Sequence, residues 1–233
     1  MRHKRYTILT GQTESHLVTG WSGFLVHQEV LPALERLRDK AASAGFELAI
    51  ASSFRGFDRQ QVIWRDKVAG RRPVLAADGA RLEPERLSRE ELLWSILRWS
   101  ALPGTSRHHW GTDLDVYDAA AVDADYQLQL VPEEYADGGP FAAFRQWLDD
   151  AIAEGRSEGF FHPYDRDRGA VAPEPWHISY RPLADDLLSE FDFSVFEHLL
   201  HSGAWPLADE ITPHAEEIYR RYVALELTDG AAS

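Results

Sequence analysis

The fold class predicted for this chain is one that mixes helices and strands, on three observations. Val30, Leu31, Leu34, Leu37 and Ala41 recur at helical spacing, Phe46–Ala51 alternates as a strand does, and Phe141, Phe144, Trp147, Leu148, Ala151 and Ile152 return to the helical period. With 233 residues and 44% hydrophobic content, including eight Trp and eleven Phe, the chain is ample for a buried core. Its formal charge of −14, from 24 basic and 38 acidic residues, disfavours nucleic acid or an anionic membrane as partner and favours something small or peptidic. The chain has no Cys, which excludes disulfides and thiolate metal sites.

In chain order, the basic N-terminus is followed by no apolar run of secretory length, and no later run is long enough to span a bilayer. A cytoplasmic protein without membrane insertion is the expectation. The pattern over 24–44 predicts a helix with Pro32 near its first turn and Gly45 as its stop. The strand at Phe46–Ala51 would deliver Ser52 to Arg55 at its end. Asp58 is a plausible N-cap for a helix towards Val68, which places Gln60 in the first turn. Residues 70–84 read as a surface loop. Ser88 and Glu91 fit a capping box before Leu92, Leu93, Ile96 and Leu97, and Pro103-Gly104 breaks that helix. The acidic stretch from Asp118 to Gly139 reads either as the rim of a cleft or as a plain surface insertion. A strand over Trp176–Tyr180 precedes a tail of two or three helices after Pro182, an extension reaching 228, with a frayed end from Gly230 to Ser233. His198 and His201 lie three apart on one helical face, where packing is favoured over metal binding.

Chemistry concentrates in Ser106-Arg107-His108-His109-Trp110-Gly111-Thr112-Asp113-Leu114-Asp115 and in Glu174-Pro175-Trp176-His177. Imidazole nitrogen and carboxylate oxygen suit Zn²⁺, and a catalytic zinc takes three protein ligands with one open position. These two segments offer three ligands and a spare carboxylate. Strand alternation would place His109, Asp113 and Asp115 on one face and turn His108 away, unless Gly111 changes the parity. On the residues alone the choice between His108 and His109 stays open, and His162 is a further alternative.

The chain resembles the LAS metallopeptidases, the group of VanX- and VanY-type D-Ala-D-Ala peptidases. The family signature, Ser-x-His-x-x-Gly-x-x-x-Asp with a later Glu-x-x-His, stands here as Ser106, His108, Gly111, Asp115, Glu174 and His177. The resemblance implies His108, Asp115 and His177 as ligands of one Zn²⁺ per chain and Glu174 as catalytic base. From Ser52-Ser53-Phe54-Arg55-Gly56-Phe57-Asp58-Arg59-Gln60 it implies Arg55 and Gln60 as groups that hold substrate, with Ser106 a candidate donor to it. Family members often carry a small residue at Asp113, which is expected here to be a solvated strand residue rather than a fourth ligand.

The matching motifs span about 46–181 within one zinc peptidase domain over 1–233. The fold the resemblance implies is α+β, a mainly antiparallel central sheet flanked by helices. The implied activity is a carboxypeptidase acting on the D-Ala-D-Ala bond of peptidoglycan stem peptides or precursors. A peptidoglycan endopeptidase and a D-Ala-D-Ala dipeptidase are the alternatives, and VanX-type dipeptidases act in the cytoplasm. A non-catalytic zinc module, as in Hedgehog domains, is disfavoured by the presence of Glu174 and Arg55.

Overall fold

The computed structural model describes residues 2–225. A first helix, α1 (Arg2–Leu9), leads into an antiparallel ribbon of β1 (Leu17–Thr19) and β2 (Leu25–His27). Helix α2 (Leu31–Ser43) starts later than the 24–44 pattern suggested, because Leu25–His27 pairs with β1 before Pro32 opens the helix. Pro32 is tolerated there because a first-turn residue needs no intrahelical N–H donor. Gly45 ends the helix as expected, at φ +92°, where a Cβ would be strained. Strand β3 (Leu48–Ser52) runs to α3 (Phe57–Val68), whose N-cap is Gly56 and not Asp58. Asp58 lies inside the first turn, where its carboxylate faces the positive end of the helix dipole.

Residues 70–84 fold back as a hairpin of β4 (Val74–Leu75) and β5 (Arg81–Leu82), where a plain loop was expected. Helix α4 (Arg89–Trp99) begins at the predicted capping box: Ser88 Oγ accepts from the Glu91 N–H at 3.2 Å, and the Glu91 carboxylate accepts from the Ser88 N–H at 2.8 Å. There follow β6 (Asp113–Asp118), α5 (Pro132–Tyr135), α6 (Ala142–Ala153), β7 (Phe160–Phe161) and β8 (His177–Tyr180). The tail comprises α7 (Arg181–Glu190), α8 (Phe193–His201), α9 (Ala208–Ile211) and α10 (Ala215–Ile218), then a π-helical turn over Tyr219–Val223. The end of the expected extension at 228 and the frayed 230–233 lie outside the described residues.

The central sheet has the order β3-β6-β8-β7 with every pair antiparallel, as the resemblance implied. One face buries Leu114, Val116 and Ile178 against Leu34 and Leu37 of α2 and Phe144 and Leu148 of α6. Each such side chain contributes about 1.5–3 kcal/mol. A slip of one residue in β6 would turn Asp113 and Asp115 into this core, so burial sets the register. A second cluster joins Trp64 of α3 and Leu93 and Ile96 of α4 to Leu187, Phe196, Ile211 and Ile218 from α7 to α10. Among the described residues, no helix is long and apolar enough to cross a membrane.

Candidate metal centre

Sheet register brings the first ligand candidates together. Asp115 stands opposite Ser52 of β3 and His177 of β8, and Asp113 stands opposite Ser179. Opposed residues share a face, and so do residues two apart on one strand. Asp113, Asp115, His177 and Ser179 therefore project together, away from the face of Leu114 and Ile178.

His108 reaches them by another route. Arg107–Trp110 form a 3₁₀ turn that Gly111 closes at φ 70°, ψ 14°. No side chain fits there, since a Cβ would lie 2.8 Å from the backbone nitrogen of His27, whose N–H donates to Gly111 O at 2.8 Å. Strand alternation does not extend past this turn. It is His108, not His109, that faces Asp115.

His108, Asp115 and His177 are buried, and one ligand atom from each lies within 4.8 Å of the others. His108 Nδ1 is 3.0 Å from Ser53 O and its Nε2 is 3.5 Å from Asp115 Oδ2. Donation from Nδ1–H to that carbonyl leaves the Nε2 lone pair facing the carboxylate. His177 Nδ1 is 3.0 Å from Glu174 Oε2 and 3.4 Å from Asp115 Oδ1. Burial alone would lower the His177 pKa, but the hydrogen bonds of Asp113 and Glu174 and the charge of Asp115 outweigh it and raise it to about 10. Burial likewise opposes ionisation of Asp115, yet His108 and then His177 hold its pKa below the usual value.

A metal fits this group by a test internal to the structure. Asp115 Oδ1 is buried and has no hydrogen-bond partner, an expensive state for a carboxylate oxygen unless a cation completes it. Two imidazoles and a carboxylate also form a donor set that suits zinc.

The other histidines have different roles. His109 is fully buried; its Nε2 accepts from the Gly104 N–H at 3.0 Å, so Nδ1–H is left to donate to Arg55 O. Burial pushes its pKa down to about 3. His162 directs Nδ1 at His177 O, 2.8 Å away, and Nε2 towards Asp149 at 3.2 Å, so it buttresses the β8 backbone and does not join the ligand group. His198 packs on the Tyr6 ring and His201 bonds the Glu197 carbonyl. The expectation for Asp113 is corrected: it is fully buried rather than solvated, because Arg107 pairs with it at 2.8 Å.

A cleft of about 260 Å³ opens over the group, with Glu174, Arg55 and Ser106 in its walls. Gln60 does not reach the cleft. It is fully buried behind Arg55, accepting from Arg55 Nη1 at 3.0 Å and donating to Ala101 O at 2.7 Å, so it orients the guanidinium. Arg55 Nη2 also donates to Ser52 Oγ at 3.3 Å.

Sequence reasoning missed Lys67 of α3, Leu75 of the hairpin, Trp99, Tyr164 and Tyr222, all of which line the cleft. The Tyr164 ring stands edge-on to His177 at 4.9 Å. No local pattern marks these residues. From the acidic stretch, Leu130 alone among the described residues lines the cleft.

Behind the turn, His16 is buried beside the His27 ring, 5.4 Å away. Burial, and then the charge of His27, lowers its pKa to about 4. The unfolded chain therefore binds this proton more readily, and stability present above pH 6.5 is lost as pH falls towards 4, by up to about 3 kcal/mol. Thermal unfolding of wild type and His16→Phe between pH 7.5 and 4.5 checks this. Identical pH dependence in the two proteins would refute it.

The sheet, the cleft and the buried His-Asp-His group with its neighbouring glutamate define a metallopeptidase type of centre. The chain belongs to the VanY family of D-alanyl-D-alanine carboxypeptidases, whose profile matches residues 23–183. Membership makes it a peptidoglycan peptidase. It is 32% identical over 124 residues to an uncharacterised Haemophilus influenzae protein, covering 52% of this chain and 92% of that one. It is 28% identical over 162 residues to the D-alanyl-D-alanine carboxypeptidase of Enterococcus faecalis, covering 68% of this chain but only 49% of that protein. Among solved structures, its fold is similar to VanYB in complex with D-alanine-D-alanine, with a TM-score of 0.52 and 22% identity over 82% of this chain and 92% of that one.

Proposed function

We propose that this chain is a zinc carboxypeptidase that releases one terminal D-alanine from peptidoglycan stem peptides or precursors ending in D-Ala-D-Ala. The observation that carries the proposal is a small cleft in which two cations, Arg55 and Lys67, hydrogen-bond neutral partners beside the His-Asp-His group. Arg55 bonds Gln60 and Ser52, and Lys67 bonds Pro73 O at 3.0 Å. Burial lowers the pKa of Arg55, and the charges of Asp115 and Glu174 offset part of that effect. Its planar fork is suited to a carboxylate or a developing oxyanion.

His108, Asp115 and His177 would hold the zinc. The chemistry a bound zinc supplies is Lewis acidity, which polarises a carbonyl and lowers the pKa of water to about 7. Glu174, whose carboxylate opens on the cleft, accepts the proton of the attacking water and delivers it to the leaving amine. Arg55 and Lys67 hold the free carboxylate, and Ser106 offers a hydroxyl at the cleft wall. The acceptor groups of Gln60 and Ser52 keep the guanidinium in place before substrate arrives.

Mass-spectrometric digestion of a peptide ending in D-Ala-D-Ala, as free acid and as C-terminal amide, tests the proposal. The free acid should lose a single D-alanine, and the amide should react roughly 10- to 100-fold more slowly, the worth of a charged hydrogen bond. Equal cleavage of amidated or crosslinked peptides would establish an endopeptidase. Preference for the free dipeptide would establish a dipeptidase.

A further inference from the structure

Asp113 opens β6 on the same face as the ligand group and is fully buried. Its Oδ1 accepts from His177 Nε2–H at 2.9 Å and from Arg107 Nε–H at 2.8 Å. Its Oδ2 accepts from Thr112 Oγ1 at 2.6 Å and from Ser179 Oγ at 3.0 Å. Arg107 Nη2 in turn donates to Ser179 Oγ at 2.7 Å, and the guanidinium lies 5.0 Å from the Trp110 ring. Four donors on two oxygens satisfy the carboxylate without contact with the cleft, whose lining does not include Asp113.

We propose that Asp113 is a positioning residue of the metal centre: it takes the Nε2–H of His177, fixes the orientation of the ring, and turns Nδ1 towards Asp115 and His108. The inference rests on the metal-centre reading above. An imidazole that binds a cation through one nitrogen carries its proton on the other, and a carboxylate at that proton sets the tautomer and raises the basicity of the ligand. The contact is diagonal across the sheet, since Asp113 is paired with Ser179 and His177 with Asp115. The short Ser179 side chain leaves room for the diagonal to close. Arg107 lies against the same carboxylate oxygen and gives the buried group a counter-charge where it meets His177. An ion pair that merely held the strand end would not need His177 on the same oxygen as Arg107.

The test is zinc affinity of the full chain, by competition with a chromophoric chelator, alongside thermal unfolding of the metal-free proteins. Wild type should bind one zinc, and Asp113→Asn should bind it roughly 10- to 100-fold more weakly. Ser179→Ala, which loosens the network but leaves the bond between Asp113 and His177, should stay within about threefold of wild type. Because Asp113→Asn leaves Arg107 buried without a charge partner, the double variant Arg107→Met, Asp113→Asn removes both charges. It should lose zinc affinity as Asp113→Asn does, whereas a purely fold-holding ion pair predicts normal binding. Wild-type affinity in the double variant, or a Ser179→Ala loss as large as that of Asp113→Asn, overturns the inference while leaving the metal centre intact. A wild type that binds no zinc overturns both.

Discussion

Glu174→Gln should keep its fold and one zinc yet lose roughly 10²- to 10⁴-fold in turnover, the usual contribution of general acid-base catalysis. The amide matches the carboxylate in shape but accepts no proton from water. Glu174 is held firmly enough for that role: its N–H donates to Tyr164 O at 3.0 Å, and its own carbonyl accepts from the His177 N–H at 3.1 Å. Its Oε2 lies 3.0 Å from His177 Nδ1, so base and ligand share one short turn. Steady-state turnover of a D-Ala-D-Ala peptide, with zinc content measured on the same preparation, decides the matter. Near-normal turnover would remove Glu174 as base, and loss of zinc would make it a ligand.

Adjacent histidines should behave in opposite ways. His108→Ala should bind no stoichiometric zinc and lose activity with it, because the group retains only Asp115 and His177. His109→Ala should retain zinc but lose about 2–4 kcal/mol of stability, since it leaves the Gly104 N–H and Arg55 O unpaired and opens a cavity. Elemental analysis and thermal unfolding of both variants read these outcomes. Zinc lost from His109→Ala and kept by His108→Ala would return the ligand to the residue that strand alternation favours.

Much of the helical structure was legible. The capping box at Ser88 and the stop at Gly45 are local devices, satisfied by atoms a few residues apart. The start of α2 was not, because the apolar run before Val30 suits either helix or strand until β1 supplies a partner. Asp58 was misjudged as a cap for a related reason. The backbone before it is held by distant groups, with Phe54 N–H on Leu25 O and Arg55 N–H on His108 O, both at 3.1 Å, and Gly56 becomes the cap. The hairpin at 74–82 has strands of two residues each, too short for any alternation to show.

By itself the sequence determined the donor chemistry: two histidines, an aspartate and a glutamate in two short segments, with an arginine delivered at the end of β3. Only the tertiary structure decided which histidine of the pair faces the metal position, that Asp113 is buried against Arg107 and His177, and that Gln60 stands behind Arg55. It also brought Lys67, Leu75 and Tyr222 into one cleft from three separate elements. Donor type belongs to a residue, whereas the direction of a side chain depends on backbone turns and strand pairing. Those were set here by burial of Leu114, Val116 and Ile178 and by the close approach of β2 to Gly111, between segments far apart in the chain.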